Sequence, residues 1–466
     1  MPAAAIHPVI RRIHQKLHEL QEIADQKASQ MERSNYKKYA GLFDAVVAFL
    51  KRKKVLLYGG AAINELMPKA LKIYKEETLP DIDIFCVDGK KVAESVVKHF
   101  KKSGYTFTSA SEALHPGTYK VFAEGMQVLD VTSLSKKAFK RLGSGGHLLD
   151  NGLRTVDPEF LRMTLHVMLS QPRDSHRWSK VLARTVAFYE AFPMKATGCK
   201  ATLAKAELTP AQVAKIVPEG FHENVAEWTR GSGANGSNGS NGSNGVLFGS
   251  DVVMQMLGMP TGVVYKGVAP IAILCTKATD VAAKDLIAHL TQLTSVRPTA
   301  PTVPTVPKVT KVTNVPKLPK YAPTYALITT DADEFVPTRT TLMVGKQPLV
   351  SFYEAPACLS YVEVGMYGHT GGHSQVGMYE LKVASVHTTL RMMMSHMFSE
   401  QPDLVVAAVT QQCLINLLSI LMLNTMTGSK KKLLQQFVLQ CYGKQPGVAT
   451  LRRNRMKRLA GLEASI

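Results

Sequence analysis

The chain carries six cysteines, Cys86, Cys199, Cys275, Cys358, Cys413 and Cys441, and no two of them form a Cys-x-x-Cys pair. Spacing therefore offers neither a zinc knuckle nor a disulfide framework, and free, mostly buried thiols in a reducing compartment are the expectation. The fourteen histidines also lack metal-ligand spacing, since His369 and His373 fall in a glycine-rich stretch that reads as a surface loop. No long apolar run is continuous. The start, Met1-Pro-Ala-Ala-Ala-Ile-His-Pro8, has no signal-peptide core, and Val405 to Met426 is broken by Gln411, Gln412, Asn416 and Asn424. A buried helix pair, not a membrane span, is expected there. Acidic residues are scarce: 36 against 56 lysines and arginines, a net charge of +20. That balance calls for an anionic partner, nucleic acid before a membrane surface.

What is present is enough for a large core. A chain of 466 residues with 45% hydrophobic and 20% charged residues is ordinary globular material, long enough for two or three domains. Residues 1–50 read as a helical segment whose two stripes, Ile10, Ile13, Leu17, Leu20 and Ile23, then Tyr39, Leu42, Phe43, Val46, Val47 and Leu50, should both face a core. Residues 51–195 read as an αβ unit with trailing helices, containing a basic helix over 90–103 and a hairpin of Thr118 to Phe122 with Met126 to Thr132 around Glu124-Gly125. Asp157-Pro158 is a cap with proline at the first helical position, opening a helical stretch to about Phe192.

Residues 196–466 form the remaining lobe. It is interrupted by a Gly/Ser/Asn insert over 231–250 and a Pro/Thr/Lys-rich segment over 296–325, both linker-like in composition. Strands are expected at Val263 to Tyr265, Ala269 to Cys275, Leu349 to Tyr353 and Tyr379 to Val383. Helices are expected at Ala282 to Leu290, His387 to Phe398, Leu404 to Leu423 and Lys431 to Tyr442.

The chemistry lies in one ordered set. Lys54-Val-Leu-Leu-Tyr58 reads as a buried strand, Gly59-Gly60 follows, and Ala61-Ala-Ile-Asn-Glu-Leu66 opens a helix. Strand, double glycine, helix makes a seat for a triphosphate, because the backbone can approach closely and the helix start presents free N–H groups. Next comes Leu79-Pro-Asp-Ile-Asp-Ile-Phe85, where strand alternation turns Asp81 and Asp83 to one face, and then Asp130 in Gln127-Val-Leu-Asp-Val131. Three carboxylates with no His or Cys nearby suit two Mg²⁺ or Mn²⁺ ions arriving with substrate phosphates.

Leu57-Tyr-Gly-Gly-Ala-Ala-Ile-Asn64, Pro80-Asp-Ile-Asp-Ile-Phe85 and Leu129-Asp-Val-Thr132 resemble the core of the polymerase-β-like nucleotidyltransferases. Asp157-Pro-Glu-Phe-Leu-Arg-Met-Thr-Leu165, Leu169-Ser-Gln-Pro172, Arg177-Trp-Ser-Lys-Val181, Ala357-Cys-Leu-Ser-Tyr361 and Val383-Ala-Ser-Val-His-Thr-Thr-Leu390 narrow the resemblance to the poly(A) polymerases of large DNA viruses. The resemblance implies an α+β fold: a nucleotidyltransferase catalytic lobe, a helical segment, and a degenerate, non-catalytic copy as carboxyl-terminal lobe. It implies a template-independent polynucleotide adenylyltransferase that adds AMP from ATP to RNA 3′ ends. Asp81, Asp83 and Asp130 would be the catalytic metal ligands, with Gly59, Gly60, Asn64, Lys136 and Lys137 as nucleotide contacts. It also implies action in the host cytoplasm or the virion, as a homodimer or beside a processivity or cap-methylating partner. A CCA-adding or oligoadenylate-forming enzyme shares the three aspartates, and a non-catalytic RNA-binding subunit is the other class. Lys51 to Lys54, Lys136-Lys137 with Lys140-Arg141, Lys430 to Lys432, and Arg452, Arg453, Arg455, Lys457 and Arg458 are candidate RNA-backbone contacts. Trp178 and Tyr189 could stack a base, but helical spacing favours core packing for both.

Overall fold

The computed structural model describes residues 8–74, 76–207, 209, 211–212, 217, 221–231, 244–258, 271–295, 325–369, 376–399, 408–425 and 432–463. The expected strand at 263–265, His373, Lys430 and Lys431, and most of both linker-like segments lie outside these residues. The chain divides into two compact units, Met1–Leu161 with Pro446–Ile466, and Arg162–Gln445.

The first unit begins with α1 (Pro8–Leu50). Leu42, Phe43, Val46 and Leu50 are buried as the sequence indicates, but Ile13, Leu17, Leu20 and Ile23 are about half exposed, so the first stripe does not face a core. Length is the reason: 43 residues at a rise of about 1.5 Å each make a helix of roughly 65 Å, longer than a five-stranded sheet can cover. Then follow β1 (Leu56–Tyr58), α2 (Gly59–Leu66), β2 (Asp83–Cys86), α3 (Gly89–Lys102), β3 (Thr108–Glu112), β4 (Thr118–Ala123), β5 (Met126–Ser133), α4 (Lys136–Ser144) and α5 (Pro158–Leu169). Asp88 caps α3, accepting from the Lys91 N–H, and Ala93, Val96 and Phe100 form its buried face. The sheet order is β1-β2-β5-β4-β3, with β2 and β5 parallel and the other pairs antiparallel. The Asp157 carboxylate accepts the Glu159 N–H at 2.8 Å, the cap expected before Pro158.

The second unit contains α6 (Trp178–Ala191), α7 (Cys199–Ala206), α8 (Phe221–Arg230), β6 (Val246–Phe248), α9 (Ser250–Leu257), β7 (Ile271–Cys275), α10 (Thr279–Ser295), β8 (Tyr325–Thr330), β9 (Arg339–Val344), β10 (Gln347–Glu354), β11 (Leu359–His369), β12 (Val376–Ala384), α11 (Val386–Ser395), α12 (Ala408–Thr425) and β13 (Cys441–Tyr442). No α-helix spans residues 432–442: a 3₁₀ turn at Lys432–Leu434 leads through extended chain into β13. Backbone pairing with Leu359 and Ser360 overrides helical propensity there.

Within the eight-stranded sheet, β6-β7-β10-β9-β8 repeats the first unit. The first pair is antiparallel, the second parallel, and the remaining two antiparallel, as in β1-β2-β5-β4-β3. A strand, a glycine and a helix again precede the second strand. The second unit's sheet is thus a topological copy of the first unit's, extended beyond β6 by β12, β11 and β13.

The unit boundary falls inside α5, not near residue 195, because α6 packs with the second unit. His166 contacts His387 through its Nδ1 at 3.0 Å and Tyr189 through its Nε2 at 2.8 Å, and the Tyr189 hydroxyl reaches Ser419 at 3.2 Å. Tyr189 and Trp178 are buried, so neither offers a stacking face for a base. The free-thiol expectation also fails for four cysteines: Cys199 pairs with Cys413 and Cys358 with Cys441, leaving Cys86 and Cys275 as buried thiols. Partners 214 and 83 residues apart leave no signature in local spacing. The chain finally returns to the first unit as α13 (Val448–Glu463). There the Arg455 Nε donates to the Glu112 carbonyl at 2.7 Å, and Arg458 pairs with the Glu112 carboxylate at 3.3 Å. Two cations expected to meet RNA are instead spent on the open edge of β3.

Candidate active site

Register brings the acidic residues together. Asp83 opens β2, pairs with Tyr58 across the antiparallel ladder and with Asp130 across the parallel one. Adjacent strands lie about 4.8 Å apart, so the two carboxylates leave the sheet side by side. Asp81 stands ahead of the strand, two residues before Asp83, whose pairing with Asp130 includes the Asp130 N–H donating to the Ile82 carbonyl at 2.9 Å. Ile82 and Ile84 are buried while Asp81 is exposed and Asp83 partly exposed, which is the alternation read from the sequence.

Glycine at position 59 is a requirement of this cluster. Gly59 has φ +69°, a left-handed conformation, and a Cβ there would run into the Asp83 carboxylate. The helix it opens has no side-chain cap: Tyr58 occupies the N-cap and makes no capping hydrogen bond. Tyr58 itself thus caps none of the N–H groups of that first turn, which form the positive end of the helix dipole beside Asp83. Tyr58 stacks on Phe85, ring centroids 3.7 Å apart, and its hydroxyl lies 3.1 Å from the Thr132 hydroxyl. Burial, then the charge of Asp83, pushes the Tyr58 phenol well above its ordinary range and keeps it protonated.

One cation at the site was not foreseen. The Lys120 ammonium donates to both Asp130 oxygens, at 3.0 and 3.3 Å, and Gln127 donates to the same carboxylate at 2.9 Å. A plain two-residue hairpin would set Lys120 opposite Leu129. A register shift between Val121 and Phe122 moves it opposite Asp130. No spacing rule marks that bulge in the sequence.

The other expected contacts lie differently. Asn64 is buried, and its side-chain oxygen accepts the N–H groups of Ile73 and Tyr74 at 3.1 and 3.0 Å, holding the loop after α2. Lys136 and Lys137 open α4, capped by the Ser135 hydroxyl. Lys136 lines a groove shared with Lys53 and Arg154, beside Leu56 at the end of β1 away from Gly59.

The donor set is all-oxygen, on neighbouring strands and free of softer ligands, which suits Mg²⁺ or Mn²⁺. Among the described residues no three His, Cys, Asp or Glu side chains are gathered closely enough to hold an ion. Asp130 is turned onto Lys120 and Gln127, so a divalent cation would compete with Lys120 for it.

The copy lobe makes the comparison internal. Phe248 pairs with Ala272, and Ala272 with Ser351, where the first unit has Tyr58, Asp83 and Asp130. Gly249, φ +87°, lies where a Cβ would meet the Ala272 Cβ at 3.0 Å, as Gly59 lies against Asp83. The frame is kept and both carboxylates are gone.

Residues 44–175 match the poly(A) polymerase catalytic subunit family. That interval holds every acidic and glycine position of the site. A protein of Acanthamoeba polyphaga mimivirus named for that subunit is 24% identical over 190 residues, 39% of this chain and 32% of its own. One from African swine fever virus, isolate Pig/Kenya/KEN-50/1950, is 25% identical over 185 residues, 38% of either chain. The chain thus spans about a third of the length of the curated relatives it matches. Among solved structures, the Megavirus polyadenylate synthase superposes with TM-score 0.63 over 99% of this chain and 85% of that one, at 15% identity. That likeness is of fold, and it bears out the α+β reading. Among the described residues no helix is long and apolar enough to cross a membrane.

Proposed function

We propose that this chain is a polynucleotide adenylyltransferase that extends RNA 3′ ends with AMP taken from ATP. The observation that carries the reading is Asp83 and Asp130 at one register position beside the left-handed Gly59, within the segment that matches the poly(A) polymerase family. Asp81, Asp83 and Asp130 would hold Mg²⁺ or Mn²⁺, two ions in all. When bound, such ions neutralise charge on the attacking and departing oxygens.

The chain's own groups do the rest. The open first turn of α2 at Gly59 and Gly60 takes the β and γ phosphates, and Asp130 accepts the proton of the RNA 3′-hydroxyl. A bond forms from that oxygen to the α-phosphorus of ATP, the bond to the β-phosphate bridge breaks, and pyrophosphate leaves. Lys120 is the cation at the third carboxylate. Viral relatives fit a protein acting in infected cells, and the two cystines favour the particle over the reducing cytoplasm.

Primer extension tests the reaction class. An oligo(A) primer incubated with Mg²⁺ and each nucleoside triphosphate separately should grow with ATP. Equal growth with CTP, or a product that needs no primer, would sink the assignment.

A further inference from the structure

We propose that the groove at the start of β1 is a second contact site for single-stranded RNA, apart from the carboxylate cluster. The proposal rests on the adenylyltransferase reading for its substrate class. Six cations line the groove, Lys51, Lys53, Lys54, Lys136, Lys140 and Arg154, and no carboxylate does. They come from separate stretches of chain: the turn after α1, both ends of α4's first turn, and the segment before α5.

None of the five lysines has a carboxylate partner among the described residues. Lys53 instead rests over the Phe49 ring at 4.9 Å. Like charges crowded this way repel one another, and phosphate groups would relieve that cost. Arg154 is fixed at the rim, its Nη1 donating to the Gly143 and Gly146 carbonyls at 3.1 and 3.2 Å.

The floor is apolar. Leu56 and Phe139 form it, and Val87, 41% exposed, closes one side. Exposed Val87 gives a base or ribose an apolar surface to rest on while its phosphates reach the rim. The volume, about 780 Å³, holds more than one nucleotide and is concave, whereas an anionic bilayer would meet a convex face.

Place within the sheet separates this groove from the chemistry. Gly59 and Asp83 stand at one end of the β1–β2 ladder, where Tyr58 pairs with Asp83, and Leu56 and Val87 stand at the other. Four residues of strand from Asp83 to Val87 span about 13 Å. RNA held in the groove would therefore be gripped some nucleotides away from its reacting end.

The test compares the full chain with the triple variant Lys53→Ala, Lys54→Ala, Lys140→Ala, binding fluorescent oligo(A) at several salt concentrations. Losing three phosphate contacts should lower the slope of log affinity against log salt by about 2, so that between about 50 and 200 mM the wild type loses roughly twentyfold more affinity than the variant. The triple Lys→Arg variant should keep the wild-type slope, and circular dichroism should match for all three. An unchanged slope in a folded alanine variant overturns the proposal. So does a variant that loses affinity for free ATP while keeping that for RNA, which would make the groove a nucleotide site. Failure of the wild type to incorporate AMP would count against the reaction assignment alone, since the binding comparison needs no turnover.

Discussion

Gly59→Ala isolates the link between backbone and chemistry. Gly59 sits at φ +69°, with Asp83 packed where a Cβ would go. Holding alanine in the left-handed region costs about 1–2 kcal/mol, and for a protein of this size the thermal midpoint should fall by no more than a few degrees, roughly 2–4 °C. Displacing the Asp83 carboxylate is a separate effect. A misplacement of about 1 Å at a reacting centre can cost on the order of a hundredfold in rate. Gly104→Ala supplies the control, because Gly104 has φ +89° and open space within 4 Å of its would-be Cβ. Both variants should show similar losses in thermal unfolding. In a radiolabelled AMP incorporation assay only Gly59→Ala should slow, by about a hundredfold. Equal activity in the two would refute the claim that Gly59 exists to admit the Asp83 carboxylate.

Lys120→Ala should lower the Mg²⁺ concentration for half-maximal incorporation, by up to about fivefold for a partly exposed pair, and an unchanged metal titration would contradict the competition seen at Asp130. Removing a cystine, by Cys199→Ser with Cys413→Ser or Cys358→Ser with Cys441→Ser, should cost about 2–5 kcal/mol in urea unfolding. Insensitivity of the wild type to reductant would argue against both bonds. Burial lowers His387 to about 3; burial, with the cost of protonating a second ring beside His387 and close to the Arg162 charge, holds His166 well below its usual range. The unfolded chain therefore takes up more protons below about pH 6.5, so stability is full above that pH and falls as the solution is acidified, on the order of 1.4 kcal/mol per pH unit per histidine. Equal urea midpoints at pH 7 and pH 5 would speak against two neutral buried imidazoles.

Legibility followed periodicity and local chemistry. Strand alternation placed Asp81 and Asp83 on one face, and the Glu124-Gly125 turn paired the hairpin that carries Asp130. Non-local pairing was not written in any window. The bulge that delivers Lys120, the cystines, and the return of α13 to β3 all depend on contacts between distant residues. Amphipathicity likewise announced a stripe at Ile13 to Ile23 but not whether anything would cover it. That Ala272 and Ser351 stand where Asp83 and Asp130 would be needed the strand register.

The most direct measurement is AMP transfer to an RNA primer by Asp83→Ala beside the wild type, at saturating Mg²⁺ and ATP. The account predicts incorporation at background in the variant, with thermal stability and RNA affinity close to those of the wild type. Wild-type turnover by a folded Asp83→Ala protein would contradict it.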